Sequence, residues 1–102
     1  QLVFILQRGV RFPQGPPNMP YFVYMILTKQ KDNFTSYVGY TNDLTKRLLL
    51  HNNSRGAKFT KGRKWKLIYY KKYSTKSNAM KGEYRLKKDY KLRNLIKANF
   101  LK

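Results

Sequence analysis

Seven consecutive apolar residues, Tyr21-Phe22-Val23-Tyr24-Met25-Ile26-Leu27, are the stretch that most constrains this chain. Aromatic and β-branched side chains suit a pleated, packed surface, and an unbroken apolar run of this length reads as a buried strand. The chain has 102 residues, enough for one domain with one modest core. Lys29 to Asn33 is polar, with Asp32-Asn33 as turn residues, and Tyr37-Val38-Gly39-Tyr40 gives a second strand. Together they predict a hairpin.

The next elements follow from caps and periodicity. Thr41, Asn42 and Asp43 offer an N-cap for a helix from about Asp43 to about Asn52, with Leu44 and Leu48 one turn apart on its inner face. Asn53 to Lys64 reads as a loop. Trp65 to Tyr73 predicts a third strand in which Leu67, Tyr69 and Lys71 alternate against Lys66, Ile68 and Tyr70. Ser74, Thr75 and Ser77 supply another helix start, for a long helix to about Tyr90, and Leu92 to Leu101 makes a last amphipathic helix. The expected order is ββαβαα: an α+β fold in which a small antiparallel three-stranded sheet is flanked by helices.

Charge narrows the function. Twenty-three Lys and Arg stand against four acids, Asp32, Asp43, Glu83 and Asp89, for a net charge of +19. Self-repulsion of that size costs stability, so the charge points to a polyanionic partner, with nucleic acid ahead of a membrane surface. The absence of cysteine excludes disulfide scaffolds, thiolate zinc sites and thiol nucleophiles, and fits a reducing cytoplasm.

Residues 1–18 read differently from the rest. Gly9, Pro13, Gly15, Pro16 and Pro17 break regular structure there, and Met19-Pro20 precedes the first strand as a start codon would. The expectation is a disordered, non-native upstream extension translated in frame, with residues 19–102 as the working domain. Val10-Arg11-Phe12-Pro13 is what a transfer-RNA T-loop would encode.

Val23-Tyr24, then Tyr37-Val38-Gly39, then Leu44-Thr45-Lys46-Arg47-Leu48 with His51, and finally Gly82-Glu83-Tyr84-Arg85-Leu86-Lys87-Lys88 occur in that order. This series resembles the GIY-YIG nuclease superfamily, and most of all its small stand-alone bacterial members. Phe22-Val23-Tyr24 stands where the superfamily has Gly-Ile-Tyr, so the glycine is missing while the tyrosine is kept. The resemblance implies metal-dependent hydrolysis of phosphodiesters in DNA, in a bacterial cytoplasm.

Such hydrolysis needs a base for water, cations for the developing charge and help for the leaving oxygen. By resemblance Tyr37 is the general base, with Tyr24 beside it across the hairpin; in so tyrosine-rich a chain both could equally be core rings. Arg47 would hold the scissile phosphate, since a guanidinium is planar, always charged and bidentate to phosphate. His51, one turn from Arg47, would hold the nucleophilic water or a tyrosine hydroxyl. Glu83, the one glutamate, would be the protein ligand of Mg²⁺ (or Mn²⁺), because magnesium can bind through one carboxylate plus phosphate and waters. Its competing reading is an i,i+4 ion pair with Lys87.

Gly39 would let substrate or backbone approach closely beside Tyr37. Lys46 and the loop cations Lys58, Lys61 and Arg63 read as a surface gripping the phosphate backbone, with Phe59 stacking on an unpaired base. DNA is expected ahead of RNA, with no membrane partner and with a separate protein partner as one route to targeting. The alternative function is a non-catalytic nucleic-acid-binding module, with RNA as one ligand.

Overall fold

The computed structural model describes Val3–Phe4 and residues 20–102. The expectation for residues 1–18 therefore falls mostly outside the described residues. Within it, Val3–Phe4 forms a two-residue strand, β1. The remaining elements are β2 (Tyr21–Gln30), β3 (Asn33–Thr41), α1 (Leu44–Asn52), β4 (Lys66–Tyr73), α2 (Lys76–Lys88) and α3 (Tyr90–Leu101). A one-turn 3₁₀ helix over Lys58–Thr60 interrupts the loop between α1 and β4. No helix among the described residues is long and apolar enough to cross a membrane.

The three long strands form an antiparallel sheet with β2 in the centre, β3 on one side and β4 on the other; β1 adds to the outer side of β4. Gln30 pairs with Asn33, so Lys31 and Asp32 make the hairpin turn, with Lys31 at φ 56°.

Both faces of β2 are covered, which is why its sequence is apolar without alternation. Val23, Met25 and Leu27 pack with Ala79 and Leu86 of α2 and Ile96 of α3. Phe22, Tyr24 and Ile26 face the other way, into a second core with Leu44 of α1, Trp65 and Leu67. The chain is thus a three-layer α+β domain with α1 on one face and α2 and α3 on the other.

The predicted alternation along the third strand is corrected. Leu67 lies in the α1-side core, but Ile68 and Tyr69 both lie in the α2/α3-side core. The cause is a register shift opposite Met25/Ile26: Met25 pairs with Tyr69 and Ile26 with Leu67, leaving Ile68 as the extra residue of a bulge.

Side-chain caps set the helix starts. Asp43 accepts a hydrogen bond from the Lys46 amide at 3.0 Å, and Thr75 accepts one from Asn78 at 3.1 Å. Asp89 ends α2 and caps α3, accepting from Leu92 at 3.0 Å.

Candidate active site

Tyr24 lies on central β2, directly opposite Gly39 of β3. A Cβ placed on Gly39 would sit 2.5 Å from the Tyr24 hydroxyl and 2.7 Å from its Cζ. The tyrosine ring therefore crosses over residue 39, and only a glycine leaves it room. This close approach is internal to the protein, between neighbouring strands of one sheet.

Helix α1 supplies the groups that meet the Tyr24 hydroxyl. Arg47 and His51 stand one turn apart, as the spacing requires. The hydroxyl is 2.7 Å from His51 Nε2, and Arg47 Nε donates to it at 3.4 Å. His51 is fully buried, and its Nδ1 is 2.8 Å from the Thr60 hydroxyl. Both ring nitrogens of His51 are thus engaged by hydroxyl groups.

Burial decides the protonation states. Desolvation, assisted by the Arg47 charge, pushes His51 down from 6.5 to about 4, so the imidazole is neutral near pH 7. Desolvation also lifts Tyr24 from 10.0 to about 12. The hydrogen bond and charge of Arg47 oppose that rise, while Tyr37 and Glu83 add to it. Tyr24 is consequently a phenol, not a phenolate, at neutral pH.

Tyr37 lies on β3 opposite Ile26, so it shares the α1-side face with Tyr24. Its ring meets His51 edge-on at 5.3 Å between centroids and stacks on Phe59 at 6.0 Å. His51 also contacts the Tyr24 ring, at 5.8 Å. The two tyrosines thus flank one imidazole.

Glu83 comes from the opposite face of the sheet. It sits on α2, but α2 packs under β3 as well as β2, and β3 is the edge strand. From there its charge is felt at Tyr24. Its carboxylate is 3.5 Å from Lys87 Nζ, and its side chain keeps 20% of its exposure. Along the same edge runs a groove of about 240 Å³ lined by Ser36, Tyr37, Val38, Phe59, Lys87 and Arg93. It joins residues of both faces.

The cationic positions divide by exposure. Lys46, Lys58 and Lys61 are exposed, whereas Arg63 is half-buried with its guanidinium 4.9 Å from the Phe59 ring and 5.9 Å from Trp65. Phe59 is half exposed, but one of its faces is already taken by Tyr37.

Sequence reasoning missed the groups that close the loop. Asn52 bonds the Trp65 backbone in both directions, at 3.1 Å to its carbonyl and 2.5 Å from its amide. Trp65 Nε1 in turn donates to the Thr60 carbonyl at 3.0 Å. Thr60 gave no signal, being one small polar residue in a basic loop. Lys87 was visible only as a partner of Glu83, and Arg93 gave no signal.

Two tyrosines thus flank a buried imidazole with an arginine beside it, at one edge of an α+β scaffold. The chain belongs to the GIY-YIG family: residues 20–97 match the GIY-YIG catalytic domain. Membership puts it in a nuclease superfamily whose substrates are nucleic acids and whose members generally use divalent metals. It is similar to the UPF0213 protein YazA of Bacillus subtilis, with 49% identity over 69 residues, 67% of each chain. It is also similar to the UPF0213 protein SSP2268 of Staphylococcus saprophyticus, with 45% identity over 65 residues, 63% of this chain and 78% of that one. No solved structure gives a significant match.

Proposed function

We propose that this chain is a magnesium-dependent endonuclease that hydrolyses phosphodiester bonds in DNA, ahead of RNA. The supporting observation is the gathering of Tyr24, Arg47, His51 and Tyr37 at one sheet edge, where the charge of Glu83 also reaches.

Each side chain has a role that follows from its surroundings. Tyr24 is held as a phenol, which makes it a poor base, and the role of base goes to Tyr37 on the groove. Tyr37 takes a proton from the attacking water; the water oxygen bonds to phosphorus, the bond to the bridging oxygen breaks, and the departing oxygen takes a proton from solvent. Arg47 uses Nε on Tyr24, which leaves its two terminal nitrogens to hold the phosphate oxygens. His51 fixes Tyr24 in place.

Glu83 suits a magnesium ion. No group of three His, Cys, Asp or Glu gathers among the described residues. Magnesium needs no such cage, and one partly exposed carboxylate with phosphate oxygens and waters is a set it accepts. Such an ion supplies charge stabilisation to the departing oxygen. Manganese would substitute.

The Glu83–Lys87 contact favours a second reading, a binding module in which Glu83 is only a charge partner. Cleavage of single-stranded, duplex and branched DNA and of RNA, with and without Mg²⁺, separates the two. The expected result is metal-dependent cutting of DNA that E83A abolishes while binding survives. Equal cutting by wild type and E83A would refute the metal role.

A further inference from the structure

Thr60 is fully buried in the 3₁₀ turn of the basic loop. Its hydroxyl donates to the Ala57 carbonyl at 2.8 Å and lies 2.8 Å from His51 Nδ1. A hydroxyl has one proton and two lone pairs. With the proton committed to Ala57, the oxygen can only accept from the imidazole, so Nδ1 carries the N–H. Reversing the chain would leave the Thr60 oxygen and the Ala57 carbonyl facing each other at 2.8 Å with no proton between them.

The remaining polarity follows. A neutral imidazole has one N–H, so Nε2 offers a lone pair and the 2.7 Å contact is Tyr24 O–H donating to it. The Tyr24 proton is then used up. Its oxygen accepts from Arg47 Nε and has only lone pairs left to offer.

We propose that Thr60 is a positioning residue of the active site: by fixing the His51 tautomer it holds Tyr24 as a donor to the imidazole and as an acceptor toward Arg47 and the attacking water. This deepens the nuclease reading and rests on it. The loop is built to keep Thr60 there. The Trp65 indole binds its carbonyl, Asn52 clamps Trp65, and a side chain on Gly56 would collide with His51 Nδ1. Lys58 and Lys61 flank Thr60 closely in the chain, so the backbone that presents cations to nucleic acid also sets the polarity of the catalytic phenol.

His51 is the sole histidine, so a ¹⁵N-labelled, tag-free chain gives one imidazole spectrum. The wild type should show a protonated Nδ1 and an unprotonated Nε2 at neutral pH. A protonated Nε2, or an even mixture, overturns the proposal whether or not the protein cuts DNA. T60V keeps the shape of threonine without its hydroxyl. It should mix the tautomers and lower kcat roughly 10–100-fold, taking the loss of an outer partner of a metal-bound imidazole as the guide, with DNA affinity unchanged. T60S should keep the wild-type spectrum and rate, and T60A, which also removes the hydroxyl, should mix the tautomers as T60V does and decides the matter if T60V does not fold. A T60V protein with both unchanged refutes the role. A wild type with the predicted spectrum and no cleavage of any substrate supports the hydrogen-bond chain and sinks the nuclease reading instead.

Discussion

Replacing Gly39 by alanine adds one methyl group at the point where the Tyr24 ring crosses β3. The new carbon would lie 2.5 Å from the Tyr24 hydroxyl and 2.7 Å from Cζ. Ordinary carbon contacts lie near 3.5–4.0 Å, so the ring must retreat by about 1 Å. It has little freedom to do so, because Tyr24 is 2% exposed and its hydroxyl is tied to His51 at 2.7 Å. Overpacking of this kind costs about 1–3 kcal/mol of stability. The catalytic loss should be larger, since a misplacement of about 1 Å can cost on the order of 100-fold in rate. Urea unfolding reads the first effect and initial cleavage rates read the second. Y24F is the control, removing the hydroxyl but keeping the ring. If catalysis depends on where that hydroxyl sits, G39A and Y24F should be strongly non-additive in the double mutant. A G39A protein that cuts at the wild-type rate would refute the claim that Gly39 is there for Tyr24.

Two further outcomes follow from charge. His51 has a folded-state pKa of about 4 against 6.5 unfolded, so the unfolded chain binds a proton that the fold does not. Stability should be full above pH 6.5 and should fall as pH drops toward about 4, by on the order of 3 kcal/mol at most. Urea midpoints measured across that window should show the slope, and H51N should flatten it. Lys87 pairs with Glu83, where it would compete with the proposed magnesium ion, and it also lines the groove. K87A should therefore lower the Mg²⁺ needed for half-maximal cleavage while raising KM for DNA. The lost surface ion pair itself should change stability by at most about 1 kcal/mol. An unchanged Mg²⁺ requirement would argue that no metal sits on Glu83.

Much of the fold was legible because single residues announced it. The unbroken run Tyr21–Leu27 predicted a buried strand, and the caps Asp43 and Thr75 come from the two polar clusters expected to start helices. Tyr24, Arg47 and His51 meet because hairpin register and helical spacing are both local rules. What stayed hidden depends on tertiary contact. The bulge at Ile68 answers to packing between β4 and α2/α3, and no alternation in Lys66–Tyr73 could reveal it. Thr60 matters only because the loop folds back onto His51, across a separation that carries no periodic signal. The groove cation Arg93 enters from α3, which packs on α2 and lines the groove beside Lys87.

The sheet divides the protein into two cores, and this explains why the site is at an edge. Tyr24, Tyr37, Arg47 and His51 belong to the α1 side, whereas Glu83 and Lys87 rise from α2 on the other. Groups separated by a sheet can meet only around its border, and β3 is the border strand nearest α2. The register of β3 on β2 therefore decides which side chains share the α1 face. Side chains alternate with a period of two, so a slip by one residue would carry Tyr37 to the α2 face, away from His51, and would move Gly39 from beneath Tyr24. Burial of Val38 on one face and the Lys31–Asp32 turn at the far end of the hairpin forbid that slip. A turn at the far end of the hairpin thus helps to hold two phenols on either side of one imidazole.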